Sequence, residues 1–140
     1  MKISVVTATF NAMEHLPRLV DSLLEQTDNN FEWIIADGGS TDGTVEYLNT
    51  LQGLEKTVLC EPDFGIYDAL NKAIKSAKGE YYLVLGADDI IFPETIKQYQ
   101  STVSKSNSDI VTARVLADGS ELCVKGGNPE INHINAYVCA

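Results

Sequence analysis

The sequence predicts an α/β domain, with a mainly parallel, twisted sheet and helices on both faces. Three observations carry that expectation. Apolar segments of strand length alternate with segments whose apolar residues recur at helical spacing. The first of them, Ile3 to Thr9, is nearly continuous in β-branched residues, as in a strand covered on both sides. The residues of unusual chemistry fall directly after the strand segments, where an open parallel sheet gathers them along one edge.

Element by element, Ile3–Thr9 is the first strand. Leu16, Leu19, Val20, Leu23 and Leu24 then mark a helix within residues 13–27, with Pro17 in its first turn, where a missing N–H costs nothing. Glu32–Asp37 is the second strand and runs into a turn-rich stretch, Gly38 to Gly43. A helix follows over 43–51, with Ser40, Thr41 or Asp42 available to cap it. Thr57–Cys60 is a third strand. Ile66, Leu70, Ala73, Ile74 and Ala77 mark a helix with Gly79 as its C-terminal glycine. Tyr81–Leu85 is the fourth strand, and Pro93 opens a helix carrying Ile96, Tyr99 and Val103. Asp109–Leu116 is a fifth strand, which Asp118-Gly119 turns into an antiparallel partner at 121–125.

Composition narrows the function. A chain of 140 residues is one domain, and at this size folding buries roughly 68–70% of the unfolded surface. Ten Lys and Arg against twenty Asp and Glu give a net charge of −10, so no basic patch offers itself to a nucleic acid. No apolar run is long enough to span a bilayer and no signal peptide opens the chain, which points to the cytoplasm. Cys60, Cys123 and Cys139 lack any C-x-x-C spacing and are expected as reduced, mostly buried thiols.

Three constellations carry chemistry. Asp88-Asp89 closes the fourth strand; adjacent carboxylates repel unless something positive sits beside them. A helix cap would be the plain explanation, but a helix opening at Pro93 leaves both aspartates outside its cap. A solvated loop is one alternative. The sharper one is a divalent cation that keeps sites free for substrate phosphates, which would let an acidic protein bind a diphosphate. Asp37 to Thr44 matches neither a calcium loop nor a phosphate-binding glycine pattern; its glycines permit close approach by a ligand, and Asp37 lies where a base or ribose can donate to it. In the third, Asp68, Asn71, Lys72 and Lys75 form a polar stripe on a helix whose start faces the same rim. Asp68 and Lys72 can simply pair at i,i+4, or the helix N-terminus and Lys72 can favour phosphate.

Together these segments resemble family-2 glycosyltransferases of the GT-A fold, a Rossmann-like nucleotide-sugar-binding fold. The matching residues are Val5 to Asn11, Asp37 to Thr44, Gly65, Asn71, Gly79-Glu80-Tyr81 and Ala87-Asp88-Asp89, in order and in spacing, from residue 3 to about 115. Glu61-Pro62-Asp63 with Gly65 to Ala69 and Asn71-Lys72 looks most like the bacterial branch that builds capsule and exopolysaccharide, including colanic-acid-type enzymes. The resemblance implies that Thr9 and Phe10 line the base pocket, that Asp37 binds the nucleoside, and that Asp88 lies near the ribose. Asp68, Asn71 and Lys72 join them on the donor side, and Asp89 coordinates Mn²⁺ or Mg²⁺ on the donor diphosphate, in the place of a D-x-D-type motif.

The implied activity is transfer of a sugar, with inversion, from a UDP-sugar to a saccharide or lipid-linked acceptor in cell-surface polysaccharide synthesis. The full enzyme would sit in the cytoplasm, peripherally at the inner membrane face. A non-catalytic nucleotide-sugar-binding domain is the alternative; a sugar-1-phosphate nucleotidyltransferase would need a glycine-rich, arginine-containing loop that Thr9 to Glu14 does not supply. Three departures stand out. Gly38 replaces a common second aspartate, Ala8 replaces a frequent proline, and no acidic pair suited to a general base follows Asp89. The expectation is therefore a C-terminally truncated chain, with a donor-binding domain at 1–116 and the start of an acceptor-side region at 117–140. Its base would lie beyond residue 140, and an apolar surface around 131–140 would invite self-association.

Overall fold

The computed structural model describes residues 1–106 and 108–113, and the backbone of three short strands at 115–117, 120–122 and 138–139. The elements run β1 (Ile3–Thr9), α1 (Leu16–Leu24), β2 (Phe31–Asp37), α2 (Thr44–Thr50), β3 (Lys56–Cys60), α3 (Ile66–Lys75), β4 (Tyr81–Val84) and α4 (Thr95–Ser106). After these come β5 (Ile110–Val111), β6 (Val115–Ala117), β7 (Ser120–Leu122) and β8 (Val138–Cys139). The main sheet has the order β3-β2-β1-β4-β8-β5. Its first four strands are parallel, and β8 lies antiparallel between β4 and β5.

Side-chain alternation along the central strands builds two layers of core. Ile3, Val5, Phe31, Trp33 and Ile35 face α1, α2 and α4, meeting Leu16, Leu19, Leu23, Leu48, Ile96 and Tyr99. Val6, Ile34 and Ala36 face α3, meeting Ala69 and Ala73. The chain thus steps outward from β1 through β2 to β3, crosses behind the sheet along α3, and re-enters beside β1 as β4. Loops leaving β1 and β4 diverge at that point, which is where open α/β sheets form their ligand crevice.

Several boundaries differ from the sequence expectation. The fifth strand divides: β5 joins the main sheet through β8, while β6 pairs antiparallel with β7 in a sheet of their own. The apolar face of α3 begins at Ala69, because Ile66 is 60% exposed at the helix start. α4 begins at Thr95 rather than Pro93, because Thr95 N–H donates to Phe92 O at 2.9 Å and closes a turn first. Cys60, expected buried, is exposed at the end of edge strand β3.

Gly79 is not the cap of α3, which ends at Ser76. A Cβ at position 79 would meet Ser4 Oγ at 2.6 Å and Lys2 O at 2.7 Å, so the glycine is needed where this segment runs against β1. Here Ser4 Oγ donates to Glu32 Oε1 at 2.6 Å and accepts from Gly79 N–H at 2.8 Å, while Lys78 N–H donates to the same carboxylate at 2.7 Å. Burial alone would raise the Glu32 pKa; the Ser4 hydroxyl, the two backbone N–H groups and the Lys2 charge together hold it below the ordinary value.

Candidate functional site

The carboxyl ends of β1, β2 and β4 and the loop after β3 form one rim. Thr9 and Asp37 are register partners. Thr9 Oγ1 donates to Asp37 Oδ2 at 2.8 Å, Ser40 Oγ donates to the same oxygen at 2.6 Å, and the N–H groups of Gly39 and Ser40 donate to Oδ1 at 3.0 and 2.8 Å. A carboxylate has about four acceptor positions, and at Asp37, which is 1% exposed, the protein occupies them all. Burial pushes its pKa up, but the Ser40, Thr9 and Gly39 donors outweigh that and hold it low.

The loops after β1 and β2 are stitched together. Asn11, at φ 48° in the left-handed region that asparagine tolerates, accepts Thr41 N–H at 2.8 Å and donates its own N–H to Ser40 Oγ at 2.7 Å. Asp42 accepts Met13 N–H at 3.0 Å and Thr44 N–H at 3.1 Å, so it supplies the cap of α2 from one residue before the Gly43 N-cap. Phe10, next to Asn11 in the loop after β1, is 67% exposed.

After β3, Asp68 accepts Phe64 N–H at 3.1 Å and lies 3.1 Å from Lys72 Nζ, and these partners lower its pKa. Lys72 also donates to Pro62 O at 2.7 Å. Asp68 and Lys72 thus pair, as their spacing allows, and fold the 61–65 segment onto the start of α3. Asn71 is exposed on the same helix. In that segment Asp63 Oδ1 accepts Gly65 N–H at 2.9 Å, and Asp63 Oδ2 lies directly against Gly38.

At the end of β4, Leu85 N–H donates to Val6 O at 3.0 Å, and the chain then turns at Gly86. A Cβ on Gly86 would meet Asp88 Oδ1 at 2.8 Å and Asp89 Oδ2 at 3.2 Å, so both exposed carboxylates converge over the glycine. Asp89 Oδ2 accepts Gly86 N–H at 2.6 Å. The loop is held from behind by α1 and the residues after it. Buried Gln26 donates to Ser22 O at 2.9 Å and Phe92 O at 2.8 Å and accepts Ile96 N–H at 3.1 Å. Thr27 N–H donates to Pro93 O at 2.9 Å, and Ser22 Oγ accepts Ile91 N–H at 3.3 Å.

Among the described residues no three His, Cys, Asp or Glu side chains surround a common point able to hold a metal. Two carboxylates on an open turn fit instead a Mg²⁺- or Mn²⁺-type ion bound by one or two protein oxygens and completed by substrate phosphates. Gln26 carries this architecture without having been singled out in the sequence, and Asn11, Ser40 and Asp63, marked there only as parts of longer motifs or as a cap candidate, gain individual roles.

The same fold recurs in known proteins. A mycobacterial relative, the PGL/p-HBAD biosynthesis glycosyltransferase of Mycobacterium bovis, is 33% identical over 118 residues, covering 81% of this chain and 46% of that protein. The chain therefore spans under half the length of that relative. The crystal structure of S. aureus TarS superposes with a TM-score of 0.81 at 28% identity, over 89% of this chain and 39% of that one; its complex with UDP-GlcNAc gives 0.80. A mannosyltransferase from Pyrobaculum calidifontis, in complex with GDP-Man and Mn²⁺, shares the fold with a TM-score of 0.70 at 24% identity, over 79% of this chain and 34% of that one. The sequence profile of "Glycosyl transferase family 2" matches residues 4–129, across the rim just described. Matched by that profile over residues 4–129 and built on the α/β sheet of its GT-A structural neighbours, the chain belongs to glycosyl transferase family 2.

Proposed function

We propose that this chain is the donor-binding part of a glycosyltransferase that moves a sugar from a UDP-sugar to a saccharide or lipid-linked acceptor, with inversion, in capsule or exopolysaccharide synthesis. The observation that carries the reading is the convergence of Asp88 and Asp89 on the edge that also holds Thr9, Phe10 and Asp37. Residues 1–116 form the donor domain and 117–140 begin the acceptor side. No helix among the described residues is long and apolar enough to cross a membrane; a cytoplasmic enzyme working peripherally at the inner membrane face fits a lipid-linked acceptor.

Phe10 packs against the base, and Thr9 and Asp37 shape the pocket floor, Asp37 by holding the 38–41 turn. Asp88 meets the ribose, and Asp68, Asn71 and Lys72 form the far wall. Asp89 takes Mn²⁺ or Mg²⁺, which when bound supplies Lewis-acid stabilisation of the departing diphosphate. A carboxylate general base outside the described residues removes the acceptor proton as the hydroxyl attacks the anomeric carbon.

Titration calorimetry with UDP tests the metal assignment. Asp89→Asn is expected to abolish the Mn²⁺-dependent part of UDP affinity while leaving thermal stability unchanged. Equal Mn²⁺-dependent affinity in the variant and the parent chain would overturn it.

A further inference from the structure

We infer that Asp63 is the residue that recognises the donor base, reading a ring N–H through the carboxylate oxygen it places over Gly38; this rests on the nucleotide-sugar reading above. Two facts remove the obvious competitor. Asp37 is buried and its carboxylate already accepts four donors from Thr9, Gly39 and Ser40. A base N–H would have to displace one of them. Asp42 and Asp68 are likewise engaged, Asp42 with Met13 and Thr44 and Asp68 with Phe64 and Lys72.

Asp63 differs from these. Its Oδ1 is anchored by Gly65 N–H, which fixes the side chain's direction, and its Oδ2 is carried back toward the strand ends. There it lies in the space a side chain at position 38 would fill. A Cβ on Gly38 would fall against Oδ2 itself, with Asp63 Cγ at 3.1 Å and Oδ1 at 3.3 Å. Gly38 N–H donates to Thr9 O at 2.9 Å, so this space lies at the carboxyl ends of β1 and β2, where exposed Phe10 follows Thr9 in the chain. Residue 38 and Asp63 therefore exclude one another sterically: the glycine admits a carboxylate delivered from the next loop.

A charged acceptor suits a base whose ring carries an N–H between two carbonyls, as uracil does at N3. Cytosine has an unprotonated N3, which such a carboxylate repels. Asp63 accordingly sets the choice of UDP over CDP.

The test is calorimetric affinity for UDP and CDP, in the presence of Mn²⁺, on the whole chain and on Asp63→Ala and Asp63→Asn. Asp63→Asn retains an oxygen for Gly65 N–H and controls for loss of the loop's shape. The expected result is a UDP preference of roughly ten- to hundredfold in the parent, abolished in both variants, chiefly through weaker UDP binding. A parent that binds UDP with Mn²⁺, and variants that keep the same UDP-to-CDP ratio, would overturn the role of Asp63 and leave the donor reading standing. A parent that binds neither nucleotide would overturn the donor reading and this inference together.

Discussion

Asp37 and Glu32 occupy opposite ends of β2 and opposite faces of the sheet, and both are buried carboxylates held charged by donors. The sequence shows where Asp37 must lie, because the strand ends there and glycines follow. It does not show that the carboxylate is saturated, since the Thr9 hydroxyl arrives from the neighbouring strand and only register brings it close. The consequence is a dependence on pH. The folded pKa of Asp37 is lowered, so its stabilisation is present above the unfolded-state value of about 4 and is lost as pH falls through the folded value. Asp37→Asn is expected to cost about 1.5–3 kcal/mol at neutral pH, with the gap from the parent narrowing once the pH falls below the unfolded-state value of about 4. Urea denaturation at a series of pH values measures this; a gap that stays constant into acid would mean the charge is not what holds the turn.

At the scale of elements, the four parallel strands and the helices between them are legible because each carries its own periodicity and its own boundary residues. What escaped depends on partners distant in sequence. β8 is a two-residue strand placed by its register with β4 and β5. The late start of α4 follows from a turn at Pro93 and Glu94, and the segment after the Asp88-Asp89 loop is tied to Gln26, just past the end of α1. A buried amide that bonds Ser22 O, Phe92 O and Ile96 N–H is a clamp on that segment. Gln26→Ala removes these three hydrogen bonds, though Phe92 O keeps Thr95 N–H, and should cost about 1–3 kcal/mol of stability. It should also weaken Mn²⁺-dependent UDP binding, although Gln26 lies behind the loop, while UDP binding without metal stays as it was. A loss of stability with metal-dependent affinity unchanged would show that the loop is positioned by Thr27 and Ser22 alone.

For the molecule as a whole, the crossover of α3 behind the sheet brings β4 beside β1 and so gathers loops from residues 9–13, 37–44, 61–68 and 85–89 on one edge. On the proposed reading each loop supplies a different part of a donor site, and these residues are expected to bind a nucleotide without catalysing transfer. Among the described acids of this rim, Asp37, Asp42 and Asp68 are engaged by protein donors, Glu61 faces Lys72, and Asp63, Asp88 and Asp89 are assigned to the donor and its metal. On the proposed reading none of these is left to serve as general base; the chain covers 46% of its mycobacterial relative. The 140-residue chain is therefore expected to bind UDP with Mn²⁺ and to transfer no sugar. Calorimetry establishes the first half, and a radiolabelled UDP-sugar incubated with saccharide and lipid-linked acceptors establishes the second. Sustained transfer by this chain would overturn the division of labour and place the base between residues 114 and 140, where Asp118 and Glu130, outside the described residues, are the acids to substitute first.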